Sequence, residues 1–202
     1  MANFISIFRI FVMFYAAYLI YACEGNAVAY LWALALTIIA FSLDGVDGYV
    51  ARKFHEESKF GALLDIMGDR IVENIYWITF ACILPEYVPV WIPIVVVTRG
   101  ILTDGVRSLA FEKGFTAFGA TTMQQNPIAK FIVASNFCRF TYAVWKAMAF
   151  AFIIAANIPM EYPHKALVST VAIVCTYISV FFCVVRGLPV LIESKRFFQD
   201  EK

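Results

Sequence analysis

Charge is scarce in this sequence. Only 15% of its 202 residues are Asp, Glu, Lys or Arg, against about a quarter in ordinary soluble domains. The net charge is +1 and no basic stripe stands out, which argues against a nucleic-acid partner. Cysteine pairing is absent too: Cys23, Cys82, Cys138, Cys175 and Cys183 are scattered, mostly in apolar runs, with no C-x-x-C. They read as small polarizable hydrophobes in helices, not as a disulfide framework or a thiolate metal site. The first apolar stretch runs to about Cys23 without a small-residue cleavage site, so no cleavable signal peptide is expected. No repeat, linker or low-complexity segment suggests a second domain, and residues 1–202 are expected to form a single membrane domain.

What the sequence has is apolar length. Hydrophobic residues make up 62% of the chain, and the mean hydropathy is +0.76. Such a composition cannot be hidden in one water-soluble core and fits a bundle whose outer solvent is lipid. Six apolar stretches, at about 5–22, 27–49, 61–84, 88–110, 131–157 and 166–192, each approach the ~20 residues a helix needs to cross the hydrocarbon. Backbone groups in lipid must pair internally, so the expected fold is all-α, a polytopic membrane bundle of six transmembrane helices. Lys and Arg are missing from the links around Gly25 and from Pro85 to Pro93. They gather instead at Arg52, Lys53 and Lys59, at Arg107, Lys113 and Lys130, and in the tail at Lys195, Arg196 and Lys202. The positive-inside rule then puts both termini and both basic links in the cytoplasm. Residues 111–130 are expected to be an ordered cytoplasmic loop or surface helix.

The informative stretch runs from Ser42 to Arg70. Asp44 and Asp47 lie three apart at the cytoplasmic end of the second span, and Asp65 and Asp69 four apart near the start of the third. Each pair shares a helix face, with Ala51 continuing the first stripe and Gly61 preceding the second. A short basic link between the spans allows an antiparallel hairpin with all four carboxylates at one end. A charge deep in a membrane helix costs about 3 kcal/mol on insertion scales, and clustered carboxylates repel one another unless a cation neutralises them. The set is all oxygen, with His55 as the sole nearby imidazole, which favours Mg²⁺ or Mn²⁺ over zinc. Four carboxylates suffice for two such ions sharing ligands, as in in-line phosphoryl displacement. Gly48, Ala51 and Gly61 would let a nucleotide approach the backbone, or serve close helix packing. Arg52 would face a diphosphate or anchor its helix at lipid headgroups.

In full, these residues form D-x2-D-G-x2-A-R-x8-G-x3-D-x3-D: Asp44, Asp47, Gly48, Ala51, Arg52, Gly61, Asp65 and Asp69. The pattern resembles the motif of the CDP-alcohol phosphatidyltransferase family with every spacing intact. Chain length, six expected spans and the segment Asn3 to Arg9 agree with the same family. The resemblance implies that Asp44, Asp47 and Asp65 hold two divalent cations, with Asp69 a further ligand or the general base. It implies that Gly48, Ala51, Arg52 and Gly61 shape the site for the cytidine diphosphate portion of a CDP-lipid donor. An acceptor hydroxyl would attack the lipid-linked phosphorus and CMP would leave. A homodimer among membrane lipids is also implied.

Acceptors within the family differ. Arg99, Arg107, Lys130, Arg139 and Arg186 lie in or beside the later spans, where basic residues facing lipid are unfavourable. Together they suit a phosphate, which points to glycerol 3-phosphate, with inositol phosphate or serine as alternatives. The competing role for Arg99 and Arg107 is pairing with Asp104, and near-interface basic residues also snorkel to headgroups. Glu73 lies one turn beyond Asp69 and would line the floor of the site or make a polar contact between helices; Arg70 is expected off that face. Tyr87, Trp91 and Tyr162 read as an interfacial aromatic belt. Two rivals are weaker. A prenyltransferase would place its second acidic cluster on a distant helix pair, and a cation-coupled carrier would show repeats and broken helices at mid-membrane.

Overall fold

The computed structural model describes the backbone of residues 2–53, 59–112, 124 and 126–195, and the side chains of 4–43, 61, 63–110, 124 and 126–195. Among the described residues the chain is all-helical, without a strand: α1 (Ala2–Ala22), α2 (Ala27–Lys53), α3 (Lys59–Ile83), α4 (Trp91–Glu112), α5 (Pro127–Ala134), α6 (Asn136–Ala156) and α7 (Lys165–Glu193). The protein is an all-α membrane helix bundle. Phe4–Ala22, Asn136–Ala156 and Lys165–Glu193 are long and apolar enough to span a membrane, and Ala27–Leu43 is a shorter apolar helix. In α2, α3 and α4 the hydropathy is lowered by the charged residues singled out above. Phe11, Trp32, Ile101, Phe140 and Phe181 are each exposed over most of their surface, as lipid-facing side chains are.

Helix ends follow local chemistry. Gly25 adopts φ +80°, a left-handed conformation that glycine enters without steric cost. The Asn26 side chain then accepts from the N–H groups of Val28 and Ala29 at 3.0 and 3.2 Å, capping α2. One expected boundary is corrected. The apolar run at 131–157 is not one helix: Ser135 sits in an extended conformation (φ −67°, ψ 138°) between α5 and α6. Its N–H donates to Phe131 O, closing α5, and its Oγ accepts from the Cys138 N–H at 3.1 Å, capping α6. A serine that satisfies both helix ends interrupts an otherwise continuous apolar pattern. The short helix α5 is itself capped by Asn126, with Pro127 in its first turn.

Two compact units are defined by their internal contacts, residues 1–90 with 147–176, and 91–146 with 177–202. In the first, α1 packs on α2 and α3. Its core is aromatic: Phe150 of α6 lies 5.0, 4.8 and 5.8 Å from the ring centres of Tyr76, Trp77 and Phe80 of α3. Tyr76 OH shares a 2.7 Å hydrogen bond with Thr37 Oγ1 of α2, so the phenol is paired inside the core. In the second unit Ala110, Val133 and Val190 form a buried cluster with Val106 against it.

Candidate active site

The site is built from α3. Asp65 and Asp69 stand one turn apart on the helix, so their side chains leave the same face. Both are half-exposed, and both meet one cation from α1: Arg9 Nη2 lies 3.1 Å from Asp69 Oδ1 and 3.5 Å from Asp65 Oδ1. Arg9 itself is buried. It passes beside Gly68, where a Cβ would stand 3.3 Å from Ile10 Cδ1, a tight contact, and 3.5 Å from Arg9 Nη2. Neither Arg9 as a partner of these aspartates nor Gly68 was anticipated. Arg9 is the single charged residue of an otherwise apolar α1, and that isolation is the signal that it needs a partner.

Gly61 lies one turn before Asp65 on α3 and is partly buried. Asp44, Asp47, Gly48, Ala51 and Arg52 belong to the last turns of α2, with side chains outside the described residues. Among the described residues no three His, Cys, Asp or Glu side chains gather as a metal site; two of the four motif carboxylates are not in that set. Glu73 is buried and pairs with Arg70 at 3.6 Å. Arg70 therefore turns toward Glu73; three residues along a helix is within salt-bridge reach.

The basic candidates differ in environment. Lys130 and Arg139 are exposed. Arg107 is 3.5 Å from Asp104, the pairing weighed above as its competing role. Arg99 and Arg186 are buried, and the Nε of each lacks a hydrogen-bond partner within the protein. Arg186 donates to the Val133 carbonyl at 3.4 Å and sits 5.4 Å from the centre of the Tyr142 ring, with Arg99 and Arg139 within electrostatic range. Lys146 stands over the same ring at 5.3 Å. Arg186 is thus repelled by neighbouring cations and offset in part by the electron-rich face of Tyr142.

Two aspartates on one face of α3, at the spacing of a longer carboxylate motif, are the feature that known proteins can be asked about. The CDP-alcohol phosphatidyltransferase profile matches residues 1–192. The chain belongs to the CDP-alcohol phosphatidyltransferase family. Among the chain's relatives, a putative cardiolipin synthase of Mycobacterium tuberculosis is 29% identical over 119 residues, 59% of this chain and 54% of the relative. The chain thus matches about half the length of that relative. A CDP-diacylglycerol–glycerol-3-phosphate 3-phosphatidyltransferase of Bacillus subtilis is 28% identical over 165 residues, 81% of this chain and 74% of the relative. A CDP-diacylglycerol–inositol 3-phosphatidyltransferase of Candida albicans is 39% identical over 49 residues, 24% of this chain and 21% of the relative.

Proposed function

We propose that the protein transfers the phosphatidyl group of CDP-diacylglycerol to glycerol 3-phosphate and releases CMP. The observation that carries this is the complete eight-position motif with Asp65 and Asp69 presented together on α3. The helix register supports it. Thr37 and Tyr76 are hydrogen-bonded between α2 and α3. Asp44 lies seven residues after Thr37, and Asp69 seven before Tyr76. In an antiparallel pair those two positions share a level, two turns from the bond.

Asp44, Asp47 and Asp65 would hold two Mg²⁺ or Mn²⁺ ions, with Asp69 a fourth ligand or the base. The fit is supported by Arg9, a cation already drawn to Asp65 and Asp69, and by a donor set made of hard oxygens. When bound, such ions stabilise charge on the transferring phosphorus group and the departing CMP. As a base, Asp69 takes the acceptor hydroxyl proton. Gly48, Ala51, Arg52 and Gly61 are the candidates for the cytidine diphosphate. Lys130, Arg186, Arg99, Arg139 and Arg107 are those for the acceptor phosphate, with the buried and incompletely bonded Arg99 and Arg186 best supported and Arg107 least. Glycerol 3-phosphate is favoured over inositol phosphate or serine because the relative matched over 81% of this chain carries that acceptor in its name. The distribution of Lys and Arg supports a cytoplasmic site and cytoplasmic termini, in a single membrane domain over residues 1–202; the homodimer rests on the family resemblance alone.

CMP release by the purified protein tests this, with CDP-diacylglycerol, Mg²⁺ or Mn²⁺, and glycerol 3-phosphate, inositol phosphate, inositol and serine in parallel. Release that depends on glycerol 3-phosphate is expected. Release with another acceptor alone moves the substrate within the family, and silence with folded, metal-supplied protein overturns the activity.

A further inference from the structure

Resting on the metal-dependent reading above, we propose that Arg9 is the resident counter-cation of the Asp65–Asp69 pair and competes with the divalent metal for those carboxylates, so that it sets metal affinity. One guanidinium nitrogen serves both acids, at 3.5 and 3.1 Å. Burial is unequal across the cluster. The Arg9 side chain is 4% exposed, whereas those of Asp65 and Asp69 are 48% and 49% exposed. The cation is delivered from inside the protein, and the acids it holds are half-exposed, with Asp65 Oδ1 itself buried.

Arg9 carries the only charge on α1, so its burial is unfavourable without an anion beside it. Gly68, lying between the two aspartates, keeps the way clear. A larger residue there would press on Ile10 and meet the Arg9 guanidinium. The two carboxylates that Arg9 engages are also hard oxygen donors of the kind a divalent ion would use. A metal ion placed on them meets a guanidinium a few ångströms away, and two cations at that separation repel. Loading the metal therefore requires the guanidinium to give up its grip or to tolerate the repulsion. Arg9 is a positioning residue in this scheme. It keeps both carboxylates on one point in the unloaded protein and weakens the metal that replaces it.

A purely structural tie predicts the opposite sign, since loss of Arg9 would then disorganise the acids and weaken the metal. Mn²⁺ affinity of the full chain in nanodiscs, read by electron paramagnetic resonance, separates the two. Monodispersity and Tm serve as folding controls. Arg9→Gln is expected to bind Mn²⁺ at least about threefold tighter than wild type, because a nearby positive charge is gone. Arg9→Lys, which keeps the charge, is expected within about twofold of wild type. Unchanged or weaker binding by folded Arg9→Gln overturns the proposal. Should that variant not fold, Arg9→Met, apolar and of similar length, is read in the same way, and failure of both to fold assigns Arg9 a structural role only. Asp69→Asn keeps the two levels apart. Wild-type Mn²⁺ binding that Asp69→Asn impairs and Arg9→Gln leaves unchanged removes the role of Arg9 alone. Wild-type protein that binds no Mn²⁺ removes the metal site with it.

Discussion

Gly187 of α7 lies against the side chain of Arg99 of α4 so closely that a Cβ there would stand 2.7 Å from Arg99 Cγ and 2.8 Å from Nε. The glycine is what allows a buried arginine to run across α7. Gly187→Ala is expected to push Arg99 aside and to cost about 1–3 kcal/mol, the range for overpacking a close contact. Thermal unfolding in detergent checks this: a lower Tm is expected, and an unchanged Tm would mean that Arg99 swings away freely.

Asp65→Asn and Asp69→Asn remove one charge each from the α3 face without changing side-chain size. CMP release is expected to fall below about a tenth of wild type, the least that loss of a metal ligand or general base should cause. A folded variant that keeps more activity would remove that residue from the chemistry.

Lys130 and Arg186 are expected to behave differently because one is exposed and the other buried. Lys130→Ala should raise KM for glycerol 3-phosphate while leaving Tm near wild type, since little packing is lost. Arg186→Ala also abandons the Val133 carbonyl and the Tyr142 ring, and a lower Tm should accompany its kinetic defect. KM and Tm measured on both variants decide. An unchanged KM for Lys130→Ala takes that residue out of the acceptor site.

Phe150 stands among Phe41, Tyr76, Trp77 and Phe80. Its replacement by Ala should cost about 3–5 kcal/mol as a cavity opens in the aromatic core. The loss should appear as a lowered Tm with KM for glycerol 3-phosphate little changed in the fraction that remains folded. A comparable rise in KM would tie the aromatic core to acceptor binding.

Helix-forming stretches were legible because lipid imposes a single demand, long apolar runs with paired backbones, and α1, α6 and α7 meet it by composition alone. The division at Ser135 was not legible. The serine is small enough to pass as part of an apolar run, and only its two hydrogen bonds reveal that it ends one helix and starts the next. The pairing of Arg70 with Glu73 was missed for a different reason: attention to one helix face ignored how far an arginine reaches.

Residue spacing by itself determined the family resemblance and the α3 face that carries Asp65 and Asp69, because positions along one helix are related by fixed geometry. Contacts between helices are not so constrained. Arg9 lies sixty residues from Asp69 in the chain, and no periodicity links them. They meet where α1 packs against α3 beside Gly68. Likewise, which basic residues are buried and which merely line the surface was decided by packing, since the surroundings of Arg99 and Arg186 come from segments distant in sequence. Local order is written in spacing, whereas the partner of a buried charge is chosen by the tertiary fold that removes it from solvent.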